Sequence, residues 1–259
     1  MPLATAVERI QSKIVRARAH ISALEVSIES FRRSRPLELG WRDSADGSER
    51  TFFLKTVPLV PIEIPLVAGD AIHNIRSSLD HLAYELVKVN GRNPTLDTCF
   101  PVFVSAQKFQ SGAKRKIDVG MSGPAKSAIE ASQPYSVTGS LLQEIHQLDV
   151  DDKHHNLILT PCAFGEVYFV QAVGRVVIPG RGVEVTGGVS SVFFEEVWLE
   201  AGRDMLVLSR PFPDFVAPCI PVEIALTMGA LNGVPVVEAA RRMATCAENV
   251  LSSFKSLLV

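Results

Sequence analysis

The chain has 259 residues, 47% hydrophobic and 21% charged, and a net charge of −2 from 26 Lys and Arg against 28 Asp and Glu. That is apolar material for one large domain or two small ones, and it excludes a disordered chain. The near-neutral balance excludes a broad basic surface for tracking duplex DNA and leaves a local basic patch open.

The opening stretch from Met1 to Arg9 has no apolar h-region and meets charge at Glu8, so it does not read as a secretory signal. No run of 18 apolar residues occurs, and no membrane span is expected. Cysteines stand at positions 99, 162, 219 and 246 without a C-x-x-C pair, which predicts reduced thiols and a cytoplasmic protein.

Residues 3–34 form the clearest predicted element. Val7, Ile10, Ile14, Ala17, Ile21, Leu24, Ile28 and Phe31 step alternately by three and four. This seam is that of a helix packed lengthwise on another, either inside a bundle or across a homodimer. Arg9, Lys13, Arg16, Arg18 and Glu25 fall on its outer face. Two strand-like runs, 37–42 and 51–55, flank a polar centre with Asp46-Gly47 and predict a hairpin. Pro58, Pro61 and Pro65 punctuate the connector that follows. A second long helix is expected from about residue 65 to Asn90-Gly91, a stop signal.

Cys99 to Val104 read as a strand. Short helices are expected near 105–112, 122–132 and 138–149, and Lys114-Arg115-Lys116 as a solvated helix end. Residues 156–228 are rich in β-branched and aromatic runs with glycine turns, which predicts an antiparallel sheet or half-barrel. Gly187-Gly188 lacks the strand–turn–helix context of a phosphate loop. A last helix is expected over about 235–257. The expected fold is α+β, a single domain over 1–259. Its helical part is 1–35, 65–155 and 235–259, and its β part is 37–57 and 156–228. The first and last helices should pack together and bring the termini close.

The second helix carries the chemistry. At about 100° per residue, His73, Asn74, Arg76, Ser77, Asp80, His81 and Tyr84 share one side, and Ile75, Leu79, Leu82 and Leu86 lie opposite. A solvated face usually carries Lys and Glu. This one carries the residue types of proton transfer, anion stabilisation and metal binding. The alternative is structural, with His73, Asp80 and Arg76 fixing helix register through polar pairs. A second polar cluster runs from Asp149 through Asp151, Asp152, Lys153, His154 and His155 to Asn156, preceded by Glu144 and His146. It reads as a helix end entering the sheet region, either a cap and loop or a second wall of a site. A metal needs three or four convergent ligands, and His146, Asp149, His154 and His155 with His73 or Asp80 could supply them. The spacing matches no strong metal motif, and no cofactor motif is present. The two segments are expected to meet. A His73–His154 separation above roughly 15 Å would refute that, being beyond hydrogen-bond reach.

Gly69-Asp70-Ala71-Ile72-His73-Asn74-Ile75-Arg76-Ser77-Ser78-Leu79-Asp80-His81-Leu82-Ala83 resembles the hallmark of a group of uncharacterised bacterial proteins, and Asp152-Lys153-His154 resembles its second motif. The R-x4-H spacing of Arg76 and His81 resembles that of the HEPN superfamily, helical proteins that include metal-independent ribonucleases. The resemblance implies that Arg76 and His81 act on a scissile phosphate and the adjacent 2′-hydroxyl, in a cleft between two protomers. The chemistry suits the residue types, a base near neutrality and a cation for the developing phosphorane charge. His73, one turn before Arg76, is a second acid–base candidate, with Asp80 beside it.

Three functions are therefore open. The first is a HEPN-like ribonuclease or RNA-binding protein using Arg76, His81, His73 and Asp80, with Asp152, His154 and His155 as a second wall. The second is a non-catalytic dimeric helical/β binding module. The third is a metal-dependent hydrolase using His73, Asp80, His154 and His155. RNA and a second copy of the chain are the expected partners.

Overall fold

The computed structural model describes residues 5–34, 36–117, 120–135, 141–155, 157, 159–170, 173–178, 181–186, 189–210 and 220–259, with backbone alone for 113–117, 164–170, 173–178, 181–186 and 189–196. The side chains of Lys114, Arg115 and Lys116, and residues Asn156, Pro179, Gly180, Gly187, Gly188 and Cys219, lie outside that description.

The fold is α+β. Helices α1 (Ala6–Arg33), α2 (Glu63–Val89), α3 (Ala106–Ile117), α4 (Gly123–Ala131), α5 (Leu142–His154) and α6 (Val236–Phe254) form the helical part. Strands β1 (Glu38–Asp43), β2 (Glu49–Thr56), β3 (Leu159–Val170), β4 (Val173–Ile178), β5 (Arg181–Thr186), β6 (Val189–Trp198), β7 (Asp204–Ser209) and β8 (Val222–Leu226) form the rest.

Helix α1 starts at a capping box. Thr5 accepts from the Glu8 N–H while Glu8 reaches back to the Thr5 N–H, so two otherwise orphaned donors are satisfied. Its seam residues Ile10, Ile14, Ala17, Ile21, Leu24, Ile28 and Phe31 are buried against α2 and α6. The seam is therefore filled within one chain. Ion pairs set the directions. Arg9–Glu85 at 2.8 Å and His20–Asp70 at 4.0 Å make α1 and α2 antiparallel. Arg18–Glu248 at 2.6 Å and Arg241–Glu25 at 2.5 Å make α1 and α6 antiparallel, which brings the start of α1 and the end of α6 to one end of the bundle.

Helix α2 begins at Glu63, two residues before the expected start, because Pro65 sits in the first turn, where its missing N–H has no helical partner to lose. It ends at Asn90, and Gly91 then takes a φ of 69°, the left-handed conformation that glycine adopts without a Cβ clash.

Three expectations need correction. Cys99 to Val104 are not a strand; an isolated bridge from Phe103 to Tyr135 is all that forms. The Phe100 N–H goes to the Asp80 carboxylate, its carbonyl is taken by Arg76, and Pro101 has no N–H to give, so no ladder can grow there. Helix α5 does not stop at residue 149 but runs to His154, carried on by Gln147–Asp151 and Asp149–Lys153 pairs four residues apart. The cluster expected at a helix end is therefore about one and a half further turns of helix. The strands form two antiparallel sheets rather than one, a five-stranded β1-β2-β7-β4-β5 and a three-stranded β6-β3-β8. Strands β3 and β4 are consecutive yet belong to different sheets, because β3 pairs with β6 and β8 while β4 joins β5 and β7.

Apolar packing follows the same division. One cluster joins the helices to Val222, Ile224 and Leu226 of β8. A second, including Phe52, Leu54, Val197, Met205, Leu206 and Leu208, lies among the strands, with Leu37 packed against both.

Candidate functional site

Helix α2 lies between α1 on one flank and α5 on the other, with a polar ridge exposed between them. On the α5 flank the helices pair residue by residue. Gly69, His73 and Arg76 of α2, spaced four and three apart, meet Asp152, Asp149 and His146 of α5, each three apart. The two segments singled out in the sequence are thus the two sides of one helix–helix seam.

At its centre, His73 Nδ1 lies 2.9 Å from Asp149 Oδ1. Lys153 Nζ donates to Asp149 Oδ2 at 2.5 Å. The Asp149 carboxylate is only 3% exposed, while the His73 and Lys153 side chains are 52% and 51% exposed. A buried carboxylate thus fixes one nitrogen of an imidazole that reaches solvent. With Nδ1–H donating to Asp149, the lone pair falls on Nε2, which has no partner among the described residues. That is the geometry of an oriented base.

Next along the seam, Asp152 packs its carboxylate directly over Gly69. A Cβ on Gly69 would lie 2.2 Å from Asp152 Oδ1, so no larger residue fits without displacement. Burial first, then the Asp149 and Asp70 carboxylates, raise the Asp152 carboxyl above its ordinary range, against the opposing pull of His73 and Lys153.

At the other end Arg76 is 5% exposed. Its Nε donates to His146 Nδ1 at 3.3 Å, and its Nη2 lies 2.9 Å from both the Phe100 carbonyl oxygen and Asp80 Oδ1. Asp80 Oδ1 in turn accepts from the Phe100 N–H at 2.9 Å. Arg76 and Asp80 therefore grip both backbone groups of Phe100, whose ring is fully buried. Burial raises the Asp80 carboxyl even with Arg76 and the Phe100 N–H favouring its charged form. Arg76 Nη1 is buried without a hydrogen-bond partner.

The two residues of the R-x4-H spacing part company. Arg76 turns into the α5 seam. His81 is exposed on the α1 side of the ridge, its pKa lowered by burial first and then by the charge of Lys13, while Asp80 and Glu85 oppose that shift. His154 and His155 are exposed at the end of α5. Among the described residues no group of three or more His, Cys, Asp and Glu is placed to hold a metal ion, so His73, Asp80, His154 and His155 do not converge as a ligand set. No helix among them is long and apolar enough to cross a membrane.

Four further residues shape the site without a functional signal of their own in the sequence. Glu85, buried and paired with Arg9, borders the ridge on its α1 flank, one turn beyond His81. His20 and Lys13 sit on α1, where the seam pattern drew attention inward. Gly69 stands within the motif and takes its role from Asp152 above it. The glycine's own signal is one of packing, since a glycine in the middle of an otherwise good helix asks for a close neighbour.

No family model, curated protein or solved structure matches the chain.

Proposed function

We propose that the α2–α5 seam is a metal-independent acid–base site that cleaves RNA, with His73 as its base. The observation that carries this reading is the half-exposed imidazole held through Nδ1 by a carboxylate that is 3% exposed. His73 Nε2 takes the proton of a 2′-hydroxyl. The O2′–P bond forms and the P–O5′ bond breaks, leaving a 2′,3′-cyclic phosphate. The departing 5′-oxygen takes a proton from Asp152, whose raised carboxyl suits a donor. The Lys153 ammonium supplies positive charge for the phosphorane. Arg76 acts through Phe100 and Asp80 as a strut of the site, and not on the phosphate.

This keeps the ribonuclease chemistry that the R-x4-H resemblance implies and moves the base from His81 to His73. It needs no second protomer, because His73, Asp149, Asp152 and Lys153 all come from one chain and the α1 seam is filled by α2 and α6.

The test is cleavage of a single-stranded RNA by purified protein in EDTA, comparing wild type with His73→Ala and His81→Ala. The reading expects the His73 variant to lose about 10²–10⁴-fold, the usual contribution of a general base. An inactive wild type, or a His73→Ala protein as active as wild type, overturns it. A purely structural seam, favoured by the burial of Arg76 and Asp149, predicts those results.

A further inference from the structure

The other flank of α2 carries a second arrangement. On α1, Arg9, Lys13, Arg16 and His20 step by four, three and four, which lines them up along one face. Facing them on α2 run Glu85, His81, Ser77 and Asp70. The outer rungs are the Arg9–Glu85 ion pair at 2.8 Å and the approach of His20 to Asp70 at 4.0 Å. They bracket the antiparallel stretch in which Lys13 lies close enough to His81 to act on it, with Arg16 one turn further along α1. The stretch between the outer rungs therefore holds two cations beside an imidazole and a hydroxyl, and the two carboxylates that act on His81, Asp80 and Glu85, are already paired with Arg76 and Arg9.

None of the Lys13, Arg16, Ser77 and His81 side chains has a hydrogen-bond or ion-pair partner among the described residues. Arg16 and His81 are exposed, and Lys13 and Ser77 are partly so. This contrasts with the rest of the α1 surface, where Arg18 pairs with Glu248, Arg32 with Glu29 and Arg33 with Glu29. The stretch thus presents a fork from Arg16, an ammonium from Lys13, a hydroxyl from Ser77 and an imidazole from His81, each able to donate to an anion. Two cations without an ion-pair partner beside groups able to donate are complementary to a tetrahedral oxyanion, and Arg and Lys supply the charge such a group needs.

We infer that Lys13, Arg16, Ser77 and His81 form a phosphate-binding site in the α1–α2 groove. It lies across the α2 ridge from His73, so a strand lying over the ridge would place one phosphate here and a neighbouring sugar at the seam. The site itself stands on the charge ladder. Only its link to a scissile RNA rests on the proposed function.

The experiment measures binding by fluorescence anisotropy of a fluorescein-labelled single-stranded oligouridylate, in a His73→Ala background so that no cleavage intervenes. Lys13→Gln/Arg16→Gln is compared with Lys13→Arg/Arg16→Lys and with Arg18→Gln, a cation on the α6 side of the same helix. Each phosphate neutralised on a single strand contributes about −0.7 to the slope of log K against log salt, so loss of two cations makes it shallower by about 1.4. The Gln pair should weaken binding about tenfold or more at low salt and show that shallower slope, while the charge-preserving pair and Arg18→Gln keep the slope of the parent. Unchanged affinity and slope in the Gln pair overturn the inference, as does an equal loss with Arg18→Gln. Where the parent binds no oligouridylate, calorimetric binding of inorganic phosphate by the parent, abolished in the Gln pair, supports the site and assigns it to free phosphate, and absence of phosphate binding as well overturns the inference. Because binding is read without cleavage, failure of His73 as a base leaves this result standing, and the converse holds.

Discussion

Replacing Gly69 by Ala tests how tightly α5 is seated on α2. The new Cβ would lie 2.2, 2.4 and 2.5 Å from Asp152 Oδ1, Oδ2 and Cγ. Ordinary non-bonded contact needs roughly 3.5 Å, so the carboxylate must retreat by about 1 Å. Asp152 is on a packed helix with a short side chain, and it can yield only by leaving its rotamer or by shifting α5. Such overpacking costs about 1–3 kcal/mol. Alanine in a helix is worth about 1 kcal/mol over glycine. The single variant should therefore lose about 1 kcal/mol net, the difference of these two effects. With Asp152→Ala already in place the obstruction is gone, and the same Gly69→Ala change should stabilise by about 1 kcal/mol. Urea denaturation of wild type, both single variants and the double variant gives the coupling, expected near 2 kcal/mol. A Gly69→Ala change that stabilises equally in both backgrounds would show that Asp152 does not rest on Gly69, and the register of the seam would be wrong.

Four further outcomes follow from the same contacts. Asp152→Asn should be more stable than wild type at pH 7. A carboxyl whose folded pKa is raised loses its stabilising protonation as pH rises through that value, so the advantage fades below about pH 4, where the unfolded carboxyl is also protonated. The same variant should cleave RNA more slowly, giving stability and activity opposite signs. Arg76→Ala should cost about 3–5 kcal/mol in urea melts, because it leaves the partly buried Asp80 without its counter-charge and frees the Phe100 carbonyl. His81→Asn should remove a pH dependence: with a lowered folded pKa, wild type gains stability relative to the variant as pH rises toward about 6.5, measured as the difference in urea midpoint across that range. Asp149→Ala should lower kcat with KM little changed, since the carboxylate that orients the His73 ring through Nδ1 is gone.

What was legible in the sequence was the set of elements that depend on local pattern. The three-and-four stepping of Ile10 to Phe31 gave α1 and its buried face, and the polar arc of residues 73–84 gave the ridge of α2. Pairing was less legible. The runs in 159–209 carry strand propensity, but nothing local says that β3 and β4 join different sheets. Cys99 to Val104 have strand character that lost to two side chains from α2, a tertiary contact no local window contains. At the site, the meeting of α2 with Asp149 was anticipated from residue type. The roles of individual residues were not. Arg76 shares an arc with His73 and His81, but a wheel does not show which flank a neighbour covers, and α5 covers the Arg76 flank. Gly69 and Asp152 gain meaning only together.

The central claim is that His73 is the base of a metal-independent site acting on RNA. The most direct measurement is cleavage in EDTA of an oligoribonucleotide and of its 2′-deoxy counterpart by wild type and His73→Ala, with the product ends identified by mass spectrometry. The account predicts that wild type alone cleaves, only the ribose strand is cut, and the new end is a 2′,3′-cyclic phosphate. Cutting of the deoxy strand, retention of activity in His73→Ala, or an uncut RNA with wild type would contradict it.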